Sequence, residues 1–191
     1  MRLKTIVLDI EESISVKSEI LNDQMFIQKI SDLADKCRDA INNGGKVIFC
    51  GNGGSFADAQ HLSAEFTSRF LFDRPGLSSL VLGANSSAMT AIGNDYGYEN
   101  VFAREIQAIA TSSDVLIAIT TSGNSVNVLR AISEAKKSGI YTAVLTGSSR
   151  GELPEHVDII GVPSTDTARI QESHIMIGHI VCRLVEADIF G

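Results

Sequence analysis

His61 and Glu65 stand four residues apart in "CGNGGSFADAQHLSAEF", the stretch that begins at Cys50. That spacing puts an imidazole and a carboxylate on one face of a helix, a turn apart. Far downstream, "TARIQESHIMIGHIV" sets Gln171 and His179 eight residues apart on a broad helical face that is otherwise apolar at Ile175, Val181 and Cys182. A histidine on an apolar face needs a partner or a task. Together, a carboxylate, imidazoles and an amide can move protons between neighbouring carbon and oxygen atoms and steady the negative charge that develops there. His61, Glu65, Gln171 and His179 also offer N and O ligands for zinc, a weaker signal than a Cys/His cluster. Each residue alone has a plainer reading: His61 with Glu65 as a surface pair, His179 as a core histidine, Gln171 as a solvent-facing amide. His156 and His174 are read as structural.

Two loops suit a small anion. The apolar run that ends at Cys50 passes into Gly51, Asn52, Gly53, Gly54 and Ser55, where glycines let the backbone approach a negative group at a helix start. Neither nucleotide fingerprint fits: GxGxxG requires glycine at Phe56, and the Walker pattern requires Gly-Lys-Ser/Thr after four intervening residues. The second loop, "TTSGNS", supplies the hydroxyls of Thr120, Thr121, Ser122 and Ser125 around Gly123, a phosphate cradle without a cation. Helix capping is the competing reading, but a cap needs one hydroxyl, and four of these six residues carry one. In "GNDYG", Asn94 and Asp95 are placed to bond sugar hydroxyls or to satisfy their own turn. A phosphosugar whose carbonyl moves between C1 and C2 through an enediol would use every one of these groups.

The elements that must position them are legible as periodicity. Apolar residues at Ile20, Ile27, Ile30, Leu33, Ala34, Cys37 and Ile41 predict one long amphipathic helix over Val16–Asn43, ended by Gly44 and Gly45 and apolar enough to pack on a partner subunit. Four short apolar runs, "KVIFC", "SSLVLG", "DVLIAIT" and "YTAVLTG", and a fifth, "VDIIGV", read as strands buried on both faces. Helical patterns over Ser55–Phe72, Tyr98–Thr111, Ser125–Ser138 and Thr167–Ile189 alternate with them. This order predicts an α/β fold with a parallel sheet, helices on both faces, right-handed crossovers and a ligand crevice at the carboxyl ends of the strands. Arg74-Pro75-Gly76 and the stretch from Gly147 to Pro154 read as surface loops.

Composition narrows the class. The chain has 191 residues, long enough for one well-buried domain and short for two. A net charge of −7 without a Lys/Arg cluster argues against nucleic acid. No apolar run reaches the ~18 residues of a membrane helix, and Met1–Ile10 has no secretory pattern, so no membrane association is expected and the cytoplasm is the default compartment. Cys37, Cys50 and Cys182 lie in apolar surroundings without CxxC spacing and are expected to be buried free thiols.

"CGNGGSFADAQHLSAEF", "GNDYGYENVFAREI", "DVLIAITTSGNSVNVLRAI" and "TARIQESHIMIGHIVCRLVE" resemble, in that order, the sugar isomerase (SIS) domain family, and most closely its phosphoheptose isomerase branch. The likeness covers nearly the whole chain. It implies a three-layer sandwich with a flavodoxin-like parallel five-stranded sheet, an oligomerising helical segment over 1–44 and an SIS domain over 45–191 within one structural domain. It further implies a homotetramer with active sites at subunit contacts, and conversion of sedoheptulose 7-phosphate to D-glycero-D-manno-heptose 7-phosphate, the first step toward nucleotide-activated heptose for lipopolysaccharide or capsule. By motif, Glu65 and His179 would be the acid/base pair; His61, Glu65, Gln171 and His179 would hold one zinc per subunit; and Asn52, Gly53, Gly54, Ser55, Glu65, Asn94, Asp95, Thr120, Thr121, Ser122, Ser125 and Gln171 would surround the substrate. Two positions depart from the pattern. Thr120 stands where many relatives carry serine, and Ala168 stands ahead of Arg169 where some carry aspartate.

A non-enzymatic reading comes from a similar branch that binds the replication initiator protein as a tetramer. That branch keeps "ARIQE" but lacks the carboxylate and second histidine of the proton-transfer pair. Both Glu65 and His179 are present here, and a scaffold has no need of paired titratable groups in a cleft. A sugar-phosphate-sensing regulator is a third reading, for which no DNA-binding element is expected beside the domain.

Overall fold

The computed structural model describes residues 2–191. In chain order the elements are α1 (Arg2–Asn22), α2 (Gln24–Asn42), β1 (Val47–Gly51), α3 (Gly54–Thr67), β2 (Ser79–Val81), α4 (Ser86–Tyr96), a 3-10 turn (Tyr98–Asn100), α5 (Val101–Ile109), β3 (Val115–Ile119), α6 (Val126–Lys137), β4 (Tyr141–Thr146), β5 (Asp158–Gly161) and α7 (Thr167–Phe190). The five strands form one sheet in the order β2-β1-β3-β4-β5, and every pairing is parallel.

Alternation along the strands builds a core on each face. Val47, Phe49, Val115, Ile117, Ile119 and Leu145 join α2, α3 and α7 in one cluster, while Ile48, Cys50, Leu116, Ala118 and Val144 join α5 and α6 in the other. Helices therefore cover both faces, giving the expected three layers. β1 and β3 are buried along their whole length, whereas β2 and β5, at the edges, are only partly covered. β1 and β3 are neighbours although β2 and α3 to α5 lie between them in sequence. The strand order reverses there, and the loops after β1 and β3 diverge around a crevice. All three cysteines are buried and free. No helix among the described residues is long and apolar enough to cross a membrane.

The structure corrects several expectations. The single helix over Val16–Asn43 is two helices. Asp23 breaks it, accepting hydrogen bonds from the Met25 and Phe26 amides at 2.9 and 3.0 Å to cap α2, and α1 begins at Arg2. The pattern over Ser55–Phe72 stops as helix at Thr67. A helix that sequence periodicity missed, α4, has no fully buried residue and so lacks the apolar stripe that would have announced it. Arg74 lies in a loop, but its side chain is not on the surface: it is only 2% exposed.

α7 is fastened to the carboxyl end of β4 by His174, which is fully buried with Nε2 3.1 Å from the Thr146 carbonyl oxygen. Nε2 therefore carries the proton, and Nδ1 has no hydrogen-bond partner among the described residues. Burial pushes the imidazole pKa down to about 4 from the ordinary 6.5. Between those values the unfolded chain takes up a proton that the folded chain refuses. The stability contributed by neutral His174 is thus complete above about pH 6.5 and lost as pH falls toward 4, by up to about 3 kcal/mol. Urea midpoints measured from pH 7 to 4 should fall less steeply for His174→Gln than for the parent; equal slopes would assign the acid sensitivity elsewhere.

Candidate active site

α3 and α7 both start at the carboxyl edge of the sheet and cross close together. Gly178 makes the approach possible, because a Cβ there would overlap the side chain of the fully buried Leu62. The next residue on α7, His179, consequently reaches α3. Its Nε2 lies 2.9 Å from Nε2 of His61, with the rings edge to face at a centroid distance of 5.1 Å. His61 Nε2 is also 3.3 Å from Glu65 Oε1. At that distance the two ring nitrogens either share one proton or both face a common third atom.

Donor atoms of His61, Glu65 and His179 all fall within 4.8 Å of one another. A tetrahedral zinc site with bonds of 2.0–2.1 Å has edges of about 3.3 Å, so the separations of 2.9 and 3.3 Å suit two edges of such a site, and the third lies within 4.8 Å. The Phe70 ring backs His179 at 5.6 Å. The cluster is open on one side, the His61 side chain being 50% exposed and that of Glu65 22%. An apolar groove of about 440 Å³, lined by Phe70, Leu71, Ile175, Met176 and Ile180, begins beside His179.

Asp58, one helical turn before His61, is a neighbour that sequence reasoning missed. Burial pushes its carboxyl above the usual carboxylate range against the pull of His61 and His179, and Oδ2 has no hydrogen-bond partner among the described residues. Its i−3 spacing from His61 was the available signal.

At the head of α3 the glycine loop has a steric reason. A Cβ on Gly54 would sit 2.5 Å from Gln171 Nε2, so the Gln171 amide occupies the space that glycine leaves. Gln171 therefore faces the start of α3, separated from His179 by about 12 Å of rise along α7. Gly53 has φ 56°, and no side chain caps α3. Ser55 is buried just behind. Asn52 joins the two loops: its amide and that of Asn127 bond reciprocally at 2.8 Å, and Tyr98 Oη donates to Asn52 Oδ1 at 3.0 Å. Asn127 and Tyr98 were not foreseen. Asn127, a buried amide next to Val128 on α6, is the kind of residue that pattern reading passes over.

The hydroxyl loop shapes itself. Thr120 Oγ1 accepts from the Gly123 amide at 3.3 Å and lies 3.4 Å from Ser125 Oγ, while Ser122 Oγ accepts from the Asn124 amide at 3.2 Å. Thr121 contributes its carbonyl, which accepts from the Gly147 amide. Gly123 has φ 70°, and a Cβ there would strike the Arg150 carbonyl. Ser125 stands at the N-cap position of α6, yet its side chain makes no capping bond. Its hydroxyl instead lies against Thr120 Oγ1, which weighs against the simple capping reading.

Asn94 and Asp95 are not in a turn but in the last helical residues of α4, where they are exposed and bond each other at 2.8 Å. At the start of α7 the Asp166 carboxylate caps the Ala168 and Arg169 amides at 2.8 and 3.1 Å, so the acid two residues before Ala168 is already engaged.

Comparison with known proteins is consistent with this layout. The SIS domain family profile matches residues 10–147. The chain belongs to the SIS domain family. Within it, the chain stands in the phosphoheptose isomerase branch. It is 51% identical over 182 residues to "Phosphoheptose isomerase" of Aneurinibacillus thermoaerophilus, covering 95% of this chain and 92% of that relative. It is also 51% identical over 181 residues to "Phosphoheptose isomerase 2" of Campylobacter jejuni, covering 94% and 90%. The structure of a phosphoheptose isomerase from Francisella tularensis superposes with a TM-score of 0.93 at 35% identity, over 98% of this chain and 99% of that one. The SIS fold thus accounts for the sheet order and for two loops meeting at the β1/β3 switch point. Replacing an N-cap serine by alanine ordinarily costs about 1 kcal/mol. In this SIS domain Ser125→Ala should change stability by less than about 0.5 kcal/mol in urea unfolding, and a full capping loss would restore the structural reading of that hydroxyl.

Proposed function

We propose that the chain is a phosphoheptose isomerase that interconverts sedoheptulose 7-phosphate and D-glycero-D-manno-heptose 7-phosphate through an enediol, the first step toward a nucleotide-activated heptose. The observation that carries the reading is the meeting of Glu65 with His61 and His179 in a chain half identical to named phosphoheptose isomerases. The phosphate would lie against the hydroxyls of Thr120, Thr121, Ser122 and Ser125 and the amino end of α6, which favours negative charge. Asn52, Gly53, Gly54, Ser55 and Gln171 would line the sugar at the head of α3, with Asn94 and Asp95 reaching its hydroxyls from α4.

Isomerisation takes a proton from C1 and returns one to C2, while a proton moves between the two oxygens. Glu65 and His179 divide that work: one serves the carbons and the other the oxygens. His61, in contact with both, orients them. The donor set fits zinc, with His61, Glu65 and His179 as ligands and one ion per subunit; Gln171 would join as a fourth ligand only by leaving the head of α3, where its amide faces Gly54. A bound zinc supplies positive charge against the oxyanion of the enediol.

The half-open cluster, the apolar groove beside His179 and the exposed Leu3, Ile6, Val7, Ile10 and Ile14 of α1 support a homotetramer with sites completed at subunit contacts. In this reading residues 1–44 serve assembly and 45–191 form the SIS domain. Three buried free thiols fit a reducing cytoplasm.

With sedoheptulose 7-phosphate as substrate and the product identified directly, Glu65→Gln and His179→Gln should each lower kcat by about 10²–10⁴-fold; a folded variant at the parental rate removes that residue from the mechanism. Chelation should lower activity by on the order of a hundredfold, with recovery on adding zinc. Full activity in metal-free protein would leave the cluster as a proton-transfer site alone.

A further inference from the structure

Glu65 occupies the last turn of α3, which ends at Thr67. The final carbonyls of a helix have no partner within it, and a last turn frays unless something satisfies them. A carboxylate that must hold its place for proton transfer is therefore mounted where a helix is weakest. The loop that follows supplies the remedy. Arg74 folds back so that Nη2 donates to the Glu65 carbonyl at 2.9 Å, and Nη1 donates to the carbonyls of Phe66 at 2.8 Å and Ser68 at 3.1 Å. Its Nε donates to Glu186 Oε1 at 2.8 Å. Glu186 sits on α7 two turns beyond His179, and its two oxygens also accept the Phe70 and Leu71 amides at 2.9 and 2.7 Å. Both side chains are nearly sealed from solvent, Arg74 at 2% and Glu186 at 1% exposure.

An ion pair this deep contributes little net stability over an apolar pair, because removing both charges from water is costly. Its geometry is its distinguishing property. One guanidinium and one carboxylate bind together the Glu65 backbone, the segment whose Phe70 ring packs on His179, and the helix that carries His179. Lysine could not replace this fork, since an ammonium has three donors on a single nitrogen and no planar edge. We propose that Arg74 and Glu186 are a positioning pair for the reaction: they hold the last turn of α3 against α7 so that the Glu65 carboxylate stays in register with His61 and His179. The pair lies behind the reacting groups and acts through Glu65. The inference rests on the reading of Glu65 and His179 as the proton-transfer pair.

The experiment compares the full-length parent, Arg74→Lys and Glu186→Gln, with Glu65→Gln run in parallel, using sedoheptulose 7-phosphate at a temperature where circular dichroism shows each variant folded. Displacement of Glu65 should lower kcat by about ten- to a hundredfold. KM should stay within about twofold, because the phosphate loop belongs to other elements. Glu186→Gln removes the charge but keeps one acceptor oxygen, enough for the Phe70 amide and Arg74 Nε and not for the Leu71 amide, and serves if Arg74→Lys does not fold. A folded variant of either residue with parental kcat, or one whose kcat and KM change together, overturns the positioning role. Full activity of Glu65→Gln alone would instead reject the proton-transfer assignment, which keeps the two failures apart.

Discussion

The close crossing of α3 and α7 is the constraint on which the candidate site depends. Neither helix carries a reactive set by itself: α3 has an imidazole and a carboxylate, and α7 has the second imidazole. They become one cluster because Gly178 has no side chain and Leu62 fills the space that it leaves. Tight interiors do not yield gradually, since a single methylene added to a packed interface forces backbone or rotamer shifts. The distance between His61 and His179 is in that sense set by a glycine one residue away. The carboxylate needs a second restraint, and the buried Arg74 fork provides it from behind.

The other half of the site is a consequence of topology. A parallel sheet with the order β2-β1-β3-β4-β5 has one place where neighbouring strands send their chains in opposite directions, and both glycine-bearing loops lie there. Asn52 and Asn127 lock those loops to each other across the crevice. In the proposed function, hydroxyls and helix amino ends there would offer a phosphate neutral donors in place of cations, in keeping with a chain whose net charge is −7. The phosphate end and the chemical end are linked by α3, whose first residues meet Gln171 and whose last turn carries Glu65.

Much of this was legible in the sequence because the signals were local and periodic. Five apolar runs became five strands, and the i, i+4 spacing of His61 and Glu65 became a contact. What failed to show was decided by tertiary structure or by single side chains. Asp23 interrupts an apolar stripe that continues in phase through it, so only the capping bonds reveal two helices. α4 hid because nothing on it is fully buried, so the helix that carries Asn94 and Asp95 went unseen. Arg74, flanked by Pro75 and Gly76, has every local mark of a surface loop; its burial depends on Glu186, 112 residues away. Asn127 and Tyr98 reach Asn52 from 75 and 46 residues away, separations that no spacing rule connects.

The central claim is that residues from two helices act as one unit. A double-mutant cycle on kcat/KM tests it most directly, because groups that share a single proton-transfer step are far from additive. Combining Glu65→Gln with His179→Gln should leave the enzyme about as slow as the slower single variant. Losses that multiply would show two residues working independently and would contradict a shared site at the α3–α7 crossing.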